Sequence, residues 1–188
     1  CRVWYAHKTE PSERGKVMGM DVYGKKPTNE TGEYFRNNVW WWRPLWDYCV
    51  TVAPELCESV SGHYNNGDGL DESGALELAK QLRYELETGA TAENERQYNE
   101  WRASLPREKC ELCDGTGIRT DDIGREMGQH DKELSVEVQI LTGRTHGWCN
   151  ACDGIGTRES WESGYPFSTE NVRAFVEFLE NSGGFSIC

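Results

Sequence analysis

The sequence contains no apolar run near the roughly twenty residues that cross a bilayer, so no membrane-spanning helix is expected. It contains no long run of Lys or Arg either. Twenty basic residues stand against 32 acidic ones, for a formal charge of -12. An acid excess of that size repels phosphate backbones and anionic lipid surfaces, which disfavours non-specific nucleic-acid and membrane binding. The recurrent catalytic signatures are missing too: no GxSxG elbow, no HExxH, no GxxxxGK[ST] loop, and no GxGxxG after a strand pattern. No residue is therefore singled out as catalytic, and a non-enzymatic role is favoured.

Apolar residues are scarce, at 37% of 188. Eight Trp, eight Tyr and five Phe offset this, because each aromatic side chain buries about 150–250 Å². An aromatic-weighted core with solvated segments follows, in a chain sized for one compact body and a smaller satellite. Residues Cys1 to Lys16 mix charge and polarity and do not read as a secretion signal. Of eight cysteines, Cys1, Cys49, Cys57 and Cys188 are scattered, while the other four form two CxxC pairs. That layout points to metal and a reducing, cytoplasmic compartment rather than a disulfide lattice.

Along the chain, Val22-Tyr23 reads as extended, and Thr28 to Gly32 as a loop. The aromatic run from Tyr34 to Val52 follows. Pro44 is expected to begin a helix carrying Leu45, Tyr48, Cys49 and Val52 on one side, and Pro54 a shorter one. Gly62 to Gly69 is turn-forming. Asp71 or Ser73 caps a helix over Ser73 to Glu87, with Leu76, Ala79, Leu82 or Arg83, and Leu86 at helical spacing; Gly89 ends it. A more polar helix over Ala92 to Ser104 stops at Pro106. Leu134, Val136, Val138 and Ile140 alternate with polar residues, which predicts a strand. Ser168 or Thr169 caps a last helix through Asn181, with Val172, Phe175, Val176 and Leu179 inward.

The two cysteine pairs form an internal repeat: Cys110-Glu-Leu-Cys113-Asp-Gly115-Thr-Gly117 and Cys149-Asn-Ala-Cys152-Asp-Gly154-Ile-Gly156. A two-residue gap lets both thiolates of a pair face one ion, and two such knuckles complete a tetrahedral site. The glycines permit a tight reversal in which backbone N–H groups point at the negative sulfurs. Cys110, Cys113, Cys149 and Cys152 are thus the expected ligands of one Zn²⁺ per chain. Four thiolates leave no open position, so the ion is expected to be structural. A redox pair accounts for one CxxC but not for a second with the same glycines.

Over residues 110–156 the sequence resembles the cysteine-rich zinc domain of the DnaJ (Hsp40) chaperones, whose signature is a repeated CxxCxGxG. In that family four copies bind two zinc ions in a domain that handles unfolded proteins. Two copies here imply a single zinc. No His-Pro-Asp triplet occurs in the chain, so the family's contact to an Hsp70 partner has no equivalent.

Other residues are weaker candidates. His146 stands three residues before Cys149 and is a substitute ligand only if a knuckle is irregular. His7, His63 and His130 read as ordinary surface histidines. Asp68 and Asp71 could meet a divalent cation, although helix capping explains Asp71 more simply. In the Trp40-Trp41-Trp42-Arg43-Pro44-Leu45-Trp46 run, three adjacent indoles cannot all face one core. Trp40, Trp42 and Trp46 are therefore candidate partner-binding residues, with a shared aromatic core as the alternative.

The expected fold class is α+β: a mainly helical body over 18–108 and 160–188, with an inserted zinc-knuckle and antiparallel module over 109–159. The expected function is that of a small soluble adaptor or regulatory protein acting through protein–protein interaction. A nucleic-acid-associated zinc finger using Arg107, Lys109, Arg119, Arg144 and Arg158 is the second reading. An enzyme with an unrecognised polar pocket is the third.

Overall fold

In a computed structural model of the chain, residues 19–188 are described; Cys1, His7 and the leading segment to Met18 lie outside them. The fold is α+β and mainly helical, with small antiparallel sheets, one of them beside the cysteines. The chain divides into two units. Unit 1 holds the described residues up to Trp101 together with Tyr165–Cys188, and unit 2 holds Arg102–Gly164.

Unit 1 is built on a three-stranded antiparallel sheet. Strand β1 (Gly19–Gly24) lies in the middle, between β2 (Tyr34–Asn38) and β5 (Phe185–Ile187). Val22 faces Phe35 on one side and Ile187 on the other. Val22, Phe185 and Ile187 are fully buried.

Helix α1 (Val39–Val52) starts five residues before the expected Pro44. Asn38 is the reason: extended itself, it accepts the Trp41 N–H on its side chain at 3.0 Å and caps the first turn. Pro44 sits inside the helix and removes one backbone donor. The short α2 (Pro54–Cys57) does open on its proline.

Helix α3 (Glu72–Thr88) is capped by Asp71, whose carboxylate accepts the Gly74 N–H at 2.8 Å, and Gly89 closes it in the left-handed conformation at φ 80°. Its inward face is Ala75, Leu78, Ala79 and Leu82, whereas Leu76 is half exposed. Helix α4 (Ala90–Ser104) buries Thr91 against the Tyr48 hydroxyl, 3.1 Å away. Helix α7 (Thr169–Ser182) is capped by Ser168, which accepts the Asn171 N–H at 3.1 Å. It buries Val172, Phe175, Val176, Phe178 and Leu179. Arg83 on α3 forks onto Glu180 on α7 with two 2.7 Å hydrogen bonds.

The aromatics form the centre of this core. Trp42 and Trp46, one helical turn apart, stack at 5.7 Å and 15°. Phe175 meets Trp42 edge-on at 5.6 Å, and Phe185 meets Trp46 edge-on at 6.3 Å. Cys49 and Cys57 are buried here as free thiols, in the manner of small apolar residues.

Unit 2 has a two-residue antiparallel ladder, β3 (Glu108–Lys109) with β4 (Thr157–Arg158), and two short helices, α5 (Asp122–Glu126) and α6 (Val136–Thr142). The segment expected as a strand is thus α6. Ser135 caps it by accepting the Val138 N–H at 3.4 Å, and Gly143 ends it at φ 70°. The alternation that suggested a strand does not track burial: Leu134 is buried, while Val136 and Ile140 are exposed. Apart from the four cysteines, Leu134 is the only buried apolar side chain of unit 2.

Candidate metal centre

Cys110 enters from the end of β3, and Cys113 follows across one turn of 3-10 helix, Glu111–Cys113. The backbone then reverses through two left-handed residues, Asp114 at φ 50° and Gly115 at φ 80°. The second knuckle repeats this conformation: Asp153 is at φ 49° and Gly154 at φ 81°. Hydrogen bonds repeat as well. Gly115 N–H donates to the Cys110 carbonyl at 3.0 Å, and Gly154 N–H to the Cys149 carbonyl at 3.3 Å. The sequence repeat is therefore a structural repeat.

The glycines fasten the two halves together. A Cβ on Gly117 would lie 2.2 Å from the Gly154 carbonyl oxygen, and one on Gly156 would lie 2.3 Å from that of Gly115. Each knuckle thus packs its second glycine on the other's first, and only a residue without a side chain fits. The Cys110 N–H bonds the Gly156 carbonyl across the pair at 2.9 Å.

All four sulfurs converge. Cys110 and Cys149 Sγ are 4.0 Å apart, Cys113 and Cys152 Sγ are 3.7 Å apart, and all four lie within 4.8 Å of one another. Four sulfurs arranged tetrahedrally at 2.3 Å around one ion would stand about 3.8 Å apart. The side chains are buried, from 0% exposure at Cys110 and Cys149 to 6% at Cys113. Gly117 N–H points at Cys113 Sγ and Gly156 N–H at Cys152 Sγ, each at 3.2 Å. These donors serve a thiolate better than a thiol.

The cluster is able to coordinate a metal ion, with a donor set suited to Zn²⁺. Among the described residues it is the one gathering of three or more candidate ligands.

Without a cation, burial pushes the Cys149 and Cys152 thiols up, Cys152 to about 12. Burial also opposes ionisation of Cys110, but hydrogen bonds from the Cys113 backbone and neighbouring thiols outweigh it and hold that group below its ordinary value. A divalent cation would displace these protons, which couples binding to pH.

The remaining candidates separate from the site. His146 is exposed, and its ring meets the Thr145 hydroxyl at 3.0 Å. His63 pairs with Asp47 at 3.0 Å, and His130 lies 2.9 Å from Asp131. Asp68 accepts N–H groups of Ser61 and Gly69, which hold its carboxyl below the usual range, and Asp71 is the α3 cap. Trp42 and Trp46 are core residues at 0% and 1% exposure, a correction to their reading as a partner surface. Their spacing of four places both on the inward face of α1. Trp40 is half-buried, with its ring centroid 4.9 Å from that of Tyr165.

The cations proposed for a nucleic-acid patch all have local partners. Arg107 bonds Thr157, Lys109 pairs with Asp114, Arg119 forks onto Asp121, and Arg158 lies 3.9 Å from Glu111. Arg144 donates to the Gly147 carbonyl at 3.1 Å and also to that of Gly154. With Arg119, which bonds the Asn150 side chain at 2.9 Å, it braces the second knuckle. Nothing in the sequence distinguished these two arginines. A hollow of about 560 Å³ beside the knuckles is lined by Arg107, Thr116, Leu141, Arg144, Ile155, Thr157 and their neighbours, with no carboxylate, imidazole or thiol.

Compared with protein-family models, characterised proteins and solved structures, the chain matches none of them. The cysteine cluster stands as a generic pair of metal-binding knuckles. No described helix is long and apolar enough to cross a membrane.

Proposed function

We propose that the protein is a small adaptor or regulatory protein in which one structural Zn²⁺, held by Cys110, Cys113, Cys149 and Cys152, maintains unit 2 as a protein-recognition module. The observation that carries this reading is the interior of unit 2. Four cysteines at tetrahedral spacing and one leucine are its only buried apolar side chains. A unit of that size with so small an apolar interior requires a staple, and a closed four-sulfur site supplies one. Such a site leaves no coordination position for a substrate, which favours scaffolding over metal catalysis. A reducing compartment such as the cytoplasm would keep the thiolates available.

The test has two parts. Metal analysis of the reduced chain should return one zinc per molecule, and none in a Cys113→Ser/Cys152→Ser variant. Affinity capture from native lysate should then retain a protein on the zinc-loaded chain but not on the variant. Retention of nucleic acid instead, or equal retention by both, overturns the proposal.

A further inference from the structure

We infer that the hollow beside the knuckles binds an acidic segment of a partner protein, an Asp or Glu with an aliphatic side chain next to it. This rests on the recognition reading above and specifies its surface and the partner's chemistry. The hollow measures about 560 Å³, a size that seats a small ligand or a few side chains. Arg107 and Arg144 line it with Thr157 and the aliphatic Leu141 and Ile155, and no carboxylate does. In a chain of formal charge -12 that is a local reversal of sign. By contrast, the hollow of about 760 Å³ on α3 sets Glu77, Glu85, Glu87 and Glu180 against Lys80 and Arg83.

Both guanidinium groups keep their charge, because the groups bonded to them are neutral. Arg107 donates from Nε to the Thr157 hydroxyl at 3.0 Å and from Nη2 to the Thr157 carbonyl at 2.9 Å. Its Nη1 lies 3.9 Å from Glu159, beyond hydrogen-bond range, and that side chain is 79% exposed. Arg144 donates to the carbonyls of Gly147 and Gly154 and, among the described residues, pairs with no carboxylate. A guanidinium has five N–H donors in a fork that matches a carboxylate, so each arginine retains donors for a ligand.

The lining selects among anions. Leu141 and Ile155 offer aliphatic surface beside the positive groups, which suits a Leu, Ile or Val adjoining the acid. No aromatic ring lines the hollow for a base to stack on. The acid excess of the chain opposes a polyanion, whereas a single carboxylate responds to the charges within a Debye length of it.

The hollow also depends on the metal centre. Gly115 and Thr116 of the first knuckle and Ile155 of the second contribute to its lining. Arg144 bonds Gly154 of the second knuckle, and a Cβ on Gly117 of the first would lie 2.3 Å from its Nη2. Arg144 is thus seated against both knuckles, so an ion that staples them also assembles the recess.

The experiment uses the zinc-loaded full chain and two short labelled peptides. One has a Leu-Glu-Leu centre flanked by Gly and Ser, and the other has Gln in place of Glu. Fluorescence anisotropy should show the Glu peptide binding at least tenfold more tightly, with amide NMR shifts concentrated at 115–116, 141–144 and 155–157. Arg107→Gln should weaken binding at least tenfold with zinc content unchanged, and Arg107→Lys less, since it keeps the charge without the fork. Leu141→Asp, at a position 66% exposed, places a rival carboxylate at the hollow and should weaken binding as much without disturbing the fold. Arg173→Gln removes the same charge from the surface of α7, where Arg173 is 54% exposed, and should bind as the parent does. A loss there equal to that of Arg107→Gln would make the association a matter of overall charge and overturns the proposal. No binding, equal binding of the two peptides, or shifts confined to another face overturns it too. Displacement of the Glu peptide by single-stranded RNA more readily than by unlabelled peptide would make nucleic acid the occupant, and overturns it as well. Zinc-dependent capture that survives both Arg107→Gln and Leu141→Asp overturns this inference while leaving the recognition reading intact. Failure of that capture in the parent chain removes the recognition reading itself.

Discussion

The Trp42 indole N–H donates to the Gly62 carbonyl at 2.7 Å, across twenty positions of chain. The bond is buried, and it ties the first turn of α1 to the start of the 62–69 loop. Gly62 is seated so closely on the neighbouring indole that a Cβ there would lie 2.0 Å from a Trp46 ring carbon. Replacing Trp42 by alanine should destabilise unit 1 by about 3–5 kcal/mol. Trp42→Phe retains most of the ring but leaves the carbonyl unpaired, at about 1–3 kcal/mol. Guanidinium unfolding of both variants checks the order, and an equal loss in the two would assign the cost to the hydrogen bond alone.

The glycine interlock makes a sharper test of the metal centre than cysteine replacement. Gly117→Ala and Gly156→Ala leave all four sulfurs in the chain but force a methyl group against the opposite carbonyl, at backbone angles that favour glycine. Each should lower zinc affinity by about 10–100-fold, as loss of supporting contacts around a ligand does. Competition with a chromophoric chelator measures it. Unchanged affinity would mean that the knuckles do not need this contact to meet.

Capping of α7 gives a third expectation. Ser168→Ala removes the acceptor of the Asn171 N–H, at a cost of about 1 kcal/mol. Ser168→Asp should recover most of it, as read from thermal melts. Asp also complements the helix dipole.

The buried thiols of unit 1 set an alkaline limit. Burial pushes Cys57 up to about 12 and Cys49 well above its ordinary 9.0. Each keeps its proton in the folded state after the unfolded chain has lost it. Their contribution is complete below about pH 9 and is lost as pH rises from there through the folded values. The denaturation midpoint should fall between pH 9 and 12, less steeply in Cys57→Ala. Parallel curves for the two proteins would remove Cys57 from the account. Metal binding at the four-cysteine cluster would run in the opposite sense, because acid returns protons to thiolates and releases metal.

Much of this was legible in the chain. Asp71 and Gly89 bracket α3, Ser168 opens α7, and the doubled CxxCxGxG placed four sulfurs together. Local chemistry decides each of these, so a linear reading reaches them. The segment at 134–140 misled because four apolar residues alternate there. Ser135 and Gly143, a cap and a stop eight residues apart, carried the helical signal instead. Likewise Asn38 outweighed Pro44, because a side-chain acceptor for a free N–H begins a helix while an internal proline only weakens one. The inward turn of α3 was misjudged at Leu76, since Leu76 and Leu78 present equal hydrophobicity and only the facing α7 selects between them. The pairing of β1 with β5 left no local trace at all.

That pairing has a consequence for how the molecule is made. Val22 meets Ile187, so a chain growing on the ribosome carries an open edge on β1 until β5 leaves the exit tunnel. Trp42 must wait for Phe175 and Trp46 for Phe185 before their burial is complete. The knuckles emerge earlier, so with a metal ion to staple them the inserted satellite can form before the body that surrounds it in sequence.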